Sequence, residues 1–428
     1  MFNNARITRA TLVVAVLLAA AAGLSGQELS SALIAKTQQE YVIEARRHLH
    51  QVPETRWEED GTLTYIRHEV EDSLEKFSRI GTSSITMLKG GLVVDLTLRN
   101  PSFDRIMFRA EVDALPVEEA TGLAFASMAK GKMHACGHDT QVAMLLGFLR
   151  ALSLGAIESK HHLRLVFERA EENPFDGRSG AKTLVEEGVL DGIAKVYGLH
   201  IWVNRETGQP GMFSSYPEAM MANNDQFFVE ATAKGGHGAE PHNGANANDI
   251  LTAVDSFLTG FGARYFSPFE PFAMSKVAVL GGNLQQANVR PGKAEATYSF
   301  RTYLMPEQRK QAAATLTQLV EKVGDVFKVY DPTAKATLRF SEGYPVTANN
   351  PTEVRRIATA LQADGFKYTE MRTTGSESFS YYLLQRPGAY FMLGAWQEGS
   401  GGHHSATFNP REDVLWQGVY YWAHLATN

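Results

Sequence analysis

The chain has 428 residues, 44% of them hydrophobic, a formal net charge of -6 and a single cysteine. That is enough sequence for about two or three domains with real cores. Its lysines and arginines are scattered and form no basic stripe to neutralise phosphate backbones, which excludes nucleic acid as an expected partner.

At the N-terminus, Arg6 and Arg9 precede an apolar run from about Leu12 to Leu24, and small residues follow it. This is the layout of a secretory signal peptide covering residues 1–26. The run is shorter than the roughly 20 residues a spanning helix needs, and no second such run occurs. The expectation is export, periplasmic or secreted, with no stable membrane anchor. Exported proteins usually pair their cysteines, but Cys136 is alone and can form no internal disulfide. A lone thiol in that setting needs protection or a job.

In chain order, apolar spacing over 33–49 predicts an amphipathic helix. Short apolar strands follow at 90–98, 105–112, 162–169 and 194–203, with helical patterns at 140–154 and 179–190 between them. Strands alternating with helices indicate an α/β unit built on a largely parallel sheet covered on both faces. The pattern changes near Met221. A half-exposed strand at 225–236, a helix at 245–263, two further strands, a helix at 306–326 and a strand starting at Lys335 make a compact α+β unit. After Pro345 the helix-strand alternation resumes. The expected organisation is therefore a catalytic domain of residues 27–221 and 342–428 with an inserted domain at 222–341.

Five stretches carry metal-ligand residue types at predicted loops or strand ends. In "HACGHD", His134, Cys136 and His138 alternate, so an extended segment could aim them to one side. Thiolate and imidazole are good ligands for zinc or another late divalent ion. Glu171 and Glu172 stand just beyond a buried strand, where active groups of parallel sheets collect. Adjacent glutamates point different ways, so one can bind metal while the other serves as general base. His200 ends another strand, and His403 with His404 lies in a glycine-flanked loop. Each stretch alone also fits a bland explanation: a structural histidine, a solvated acidic loop, a satisfied core histidine, surface histidines. Their joint occurrence in one domain supplies a set that could ligate two metal ions.

"RRHLHQVPE", "RAEVDALPVEE", "MHACGHD", "AEE" with "GLH", "GGHGAEPH", "NVRPGKAEATYSFR", "GSESF" and "HHSATF" occur in that order. Together they resemble the metallo-amidohydrolases that include hippurate hydrolases, indole-acetyl-amino-acid hydrolases, aminoacylases and related carboxypeptidases. The resemblance spans essentially the whole mature chain. It implies a zinc-peptidase-like catalytic domain with an inserted ferredoxin-like lid or dimerisation domain, and hence a homodimer through the lid. It implies two divalent ions, Zn2+ or Mn2+, held by Cys136, His138, Glu172, His200 and one histidine of the terminal loop, with His404 preferred to His403. It also implies Glu171 as base, His237 as a lid residue contacting the substrate, and Asn288 and Arg301 as carboxylate holders. The sequence departs from the family pattern at Gln141, Arg169 and Ser378. Asp113 is expected to orient a ligand, Asp139 either to do the same or to cap a helix, and His134 to be structural.

The expected activity is cleavage of the amide bond of an N-acyl amino acid or related conjugate by a metal-activated water. A dipeptidase or carboxypeptidase acting on short peptides, or a catalytically inactive metal-binding module, are the alternatives.

Overall fold

Main-chain pairing in the computed structural model, which describes residues 28–99, 101–172 and 178–428, separates two large sheets and two two-stranded ones, Val289–Arg290 with Gly236–His237 and Thr347–Asn349 with Glu218–Met221. The expected signal peptide lies outside the described residues. In chain order the strands are β1 (Gly81–Leu88), β2 (Gly91–Leu98), β3 (Phe103–Glu111), β4 (His161–Glu168), β5 (Ile193–Trp202), β6 (Met212–Ser215), β7 (Glu218–Met221) and β8 (Asn223–Thr232). They continue with β9 (Gly236–His237), β10 (Phe272–Gly281), β11 (Val289–Arg290), β12 (Lys293–Thr302), β13 (Lys335–Ser341), β14 (Thr347–Asn349), β15 (Lys367–Glu370) and β16 (Gly388–Gly394).

The larger sheet runs β1-β2-β4-β3-β5-β16-β6-β15. Its centre, β4-β3-β5-β16, is parallel. The edges are not: β1 and β2 pair antiparallel, and β6 reverses beside β16. Helices Gln39–Gln51, His138–Ser153 and Trp416–Thr427 pack with it around a core containing Val42, Phe108, Leu145, Leu165, Phe391 and Trp422. The helix His138–Ser153 is buried along nearly its whole length, as its continuous apolar run demands. Among the described residues no helix is long and apolar enough to cross a membrane.

The single helix expected over 33–49 is two, Glu28–Thr37 and Gln39–Gln51. The Thr37 hydroxyl donates to the Ile34 carbonyl, a local bond that competes with the helical ladder and that periodicity does not register. The helix expected over 179–190 ends at Glu186 and continues as turns.

The smaller sheet, β10-β12-β8-β13, is antiparallel throughout. Helices Ala247–Tyr265 and Pro306–Val326 cover one face. Phe227, Val229, Ile250, Val254, Leu316 and Val320 belong to a core of its own. Strand β10 forms an edge and leaves Val277, Val279 and Leu280 more than half exposed.

Candidate metal centre and active site

The carboxyl ends of β3, β4 and β5 bring one constellation together, as expected for a parallel sheet. Glu111 ends β3, Glu171 and Glu172 follow β4, and His200 lies near the end of β5. Ala170, at φ 56°, takes the left-handed conformation just before the acidic pair and is fixed by its N–H donating to Glu59. Between Cys136 and His138 the chain needs Gly137. Its φ is +100°, and a Cβ there would come within 2.5 Å of Ile201.

His138 donates from Nδ1 to the Asp113 carbonyl at 2.8 Å, with the Asp113 carboxylate 3.1 Å away. Because a carbonyl only accepts, Nδ1 carries the proton and Nε2 is left for a ligand role. Asp113 also accepts from the Glu172 N–H at 2.9 Å, so one carboxylate orients two candidate ligands. His200 is fixed in the same sense, with Nδ1 on the Ile201 carbonyl and Nε2 3.5 Å from the Cys136 sulfur.

The terminal histidines divide their roles. Nε2 of His403 accepts from the Val203 N–H at 2.9 Å, and its Nδ1 donates to the Cys136 carbonyl at 3.2 Å. Both nitrogens are thereby engaged by backbone. His404 sits at φ 66° with its N–H on the Ala135 carbonyl, and its Nε2 lies 3.3 Å from Glu172 Oε1. A non-glycine residue held in that region is a strain commonly found at functional sites.

Three overlapping sets of potential ligand atoms result: Cys136 with His138 and His200, Cys136 with Glu172 and His404, and Glu111 with His138 and Glu171. Each set gathers within 4.8 Å, and the sulfur is common to the first two. Glu172 Oε1 is buried without a hydrogen-bond partner, the condition a cation would relieve. Thiolate, imidazoles and carboxylate thus fit a pair of divalent ions. Burial, with repulsion from Glu172, pushes the Cys136 thiol up, whereas ligation deprotonates a thiol outright.

Glu171 is 7% exposed and accepts from the Ser378 N–H at 3.3 Å. Burial, and then the carboxylates of Glu377, Glu111 and Glu172, hold its proton affinity well above the usual carboxylate range.

The lid residues stand apart. His237 is exposed on β9, and its Nδ1 accepts from the Ala239 N–H. Asn288 is exposed, while Arg301 donates to the Thr374 carbonyl at 3.2 Å. Among the described residues no hydrogen bond or ion pair joins His237 to the sulfur-centred sets. Its loop is nevertheless closely built. The Arg290 guanidinium donates to the carbonyls of Gly235, His237, Glu240, Pro241 and Gly244. Asp331 accepts from the N–H groups of Lys234 and Ala245 at the loop's two ends.

Several buried residues escape the sequence reading. Arg109, fully buried, forms ion pairs of 2.6 Å with Glu111, Glu168 and Glu377. A signal was present: Arg109 and Glu111 sit two apart in the buried second half of the strand, so they share a face. Ser378 bonds Arg109 and Glu168, Gln141 donates to Glu111, and Arg169 pairs with Glu59. All three departures from the family pattern therefore have partners. Asp139 lies inside the first turn of its helix, where it accepts from Arg46 at 3.0 Å and faces His50 at 2.8 Å. His134 is buried with no hydrogen-bond partner on either ring nitrogen.

A two-unit architecture with a thiolate-centred ligand cluster at strand ends defines a metallohydrolase class. The sequence pattern of peptidase family M20/M25/M40 matches residues 107–428, and the chain belongs to this family of metal-dependent amidohydrolases and peptidases. It is 37% identical over 354 residues to the N-acyl-L-amino acid amidohydrolase of Geobacillus stearothermophilus, covering 81% of this chain and 91% of the relative. It is 31% identical over 395 residues to thermostable carboxypeptidase 2 of Saccharolobus solfataricus, covering 91% and 95%. Among solved structures it resembles the YXEP protein of Bacillus subtilis, described as a dinuclear metal-binding peptidase of the M20 family. That likeness has a TM-score of 0.75 at 26% identity and covers 91% of this chain and 98% of the other.

Proposed function

We propose that the chain is an exported amidohydrolase that releases the acyl group from N-acyl amino acids. The observation that carries this reading is Glu171: a buried carboxylate, fixed by the Ser378 N–H, in the same strand-end loop as Glu172, one of the candidate ligands. Two divalent ions bound by Cys136, His138, Glu172, His200 and His404 would lower the pKa of water and polarise the scissile carbonyl. The soft thiolate and three imidazoles favour zinc over manganese. Glu171 takes the proton of the attacking water and returns it to the leaving amine, while Ser378 N–H orients its carboxylate. His237 meets the developing oxyanion, and Asn288 and Arg301 receive the substrate carboxylate, for which a guanidinium offers a bidentate fork.

A second reading, carboxypeptidase or dipeptidase action on short peptides, is favoured by the likeness to the thermostable carboxypeptidase. Zinc- or manganese-reconstituted protein assayed on a library of N-acyl amino acids alongside dipeptides separates the two. Preferential release of acyl groups is expected; faster peptide cleavage overturns the first reading, and no hydrolysis of either class overturns both.

The open, apolar edge at β10 supports pairing with a second copy through the lid, since an exposed edge strand is a template for strand addition. Light scattering on the mature protein is expected to give the mass of a dimer. Export is tested by mass spectrometry of the mature N-terminus, expected near Gln27.

A further inference from the structure

Glu111 is a fully buried carboxylate beside the ligand histidines, and neither the expected ligand set nor the proposed mechanism uses it. Its Oε2 lies 3.1 Å from His138 Nε2 and 3.8 Å from His200 Nε2. Those are the two imidazole nitrogens that Asp113 and the Ile201 carbonyl leave available. With metal–nitrogen and metal–oxygen bonds of about 2.0–2.2 Å, neighbouring donors around a tetrahedral ion stand roughly 3.3 Å apart. The two separations straddle that spacing. The 3.5 Å between Cys136 Sγ and His200 Nε2 matches the somewhat longer sulfur–nitrogen edge.

The carboxylate is also held in this pose. Oε1 lies against the Arg109 guanidinium at 2.6 Å. Gln141 grips the residue twice, donating its amide to Oε2 and accepting from the Glu111 N–H at 3.4 Å. A carboxylate oxygen has two lone pairs, so Oε2 keeps one beyond the Gln141 bond.

We propose that Glu111 is a direct metal ligand, closing the buried ion position formed with Cys136, His138 and His200. This rests on the metallohydrolase reading above and adds a difference between its two ion positions. The buried one has four protein donors, the arrangement of tightly held, closed sites. The other has Cys136, Glu172 and His404, with the His404 side chain 54% exposed, so it keeps a coordination position open for water and substrate. The first equivalent of metal enters the closed position and is hard to remove; the second exchanges readily and brings activity with it.

Two measurements on the full mature protein test this. Zinc titration of apo wild type, followed by metal analysis after dialysis against a mild chelator, is expected to leave one zinc per chain and no activity. A crystal structure of that one-zinc form is expected to place Glu111 Oε2 about 2.0–2.2 Å from zinc. Glu111→Gln keeps the shape but removes a good anionic ligand, and its retained-zinc affinity is expected to fall at least tenfold while the second site's is unchanged. A Zn–Glu111 distance beyond about 3 Å, with water in that position, overturns the proposal even if the enzyme binds two ions and hydrolyses N-acyl amino acids. Wild type that takes up no zinc overturns the metallohydrolase reading itself. Should the variant not fold, the wild-type crystal measurement still decides.

Discussion

The strand-end cluster and the His237 loop are assembled by opposite means. Around Cys136, charged and polar side chains position one another: Asp113 on His138, Arg109 on three glutamates, Arg46 and His50 on Asp139. Around His237 one guanidinium gathers five backbone carbonyls, and the functional side chain itself stays in solvent. The first half of the site is assembled before substrate arrives. On the role proposed for His237, the second is an arm whose chemistry is realised only when it meets substrate. Such a division lets binding energy from the rest of the substrate be used to bring the arm in.

Four substitutions sharpen or break that contrast. Glu171→Gln, in the prebuilt half, is expected to lower kcat by roughly 10²–10⁴ with metal content intact; residual turnover within tenfold of wild type rejects Glu171 as the base. His237→Ala, in the arm, is expected to lower kcat by about 10²–10³, again with metal retained. An effect confined to KM would make it a binding residue only. Arg290→Ala is expected to reduce kcat/KM by about ten- to a hundredfold through misplacement of His237 and to speed amide exchange across 235–244. Arg290→Lys should not restore activity, because a single ammonium cannot span five carbonyls; full rescue by lysine would show that charge alone suffices.

The baseline comes from Glu353, remote from both halves. It takes hydrogen bonds from Lys195, Tyr197 and Arg356, which outweigh its burial and hold its pKa at about 2. A depressed carboxylate pKa stabilises the fold above the unfolded value near 4.5, and that stability is lost as pH falls toward 2. Glu353→Gln is therefore expected to cost about 2 kcal/mol at pH 7, with the difference shrinking in acid and kcat unchanged. Denaturant unfolding across pH checks it.

Much of this was legible in the sequence where one rule dominates. Buried strands read as apolar runs, and the helix Pro306–Val326 has the extent its pattern indicates. Ligand residue types stood at strand ends, where the sheet converges. Other parts were hidden because the cause is long-range. Nothing local announces that Glu377, late in the chain, meets Arg109 on β3, or that Asp331 closes the His237 loop. The choice between His403 and His404 needed three-dimensional partners, since only the Val203 N–H and the Cys136 carbonyl reveal that one ring is already engaged.

Cys136 belongs to both of the sulfur-containing ligand sets, and on the proposed export this bears on the enzyme's working life. A free thiolate in an oxidising medium proceeds to sulfenic and higher acids, the later steps being irreversible. A sulfur held by two ions would stay masked when either one dissociates. Inactivation by oxidants should therefore require the loss of both, so the ion that is hard to remove acts as a preservative for the only cysteine in the chain.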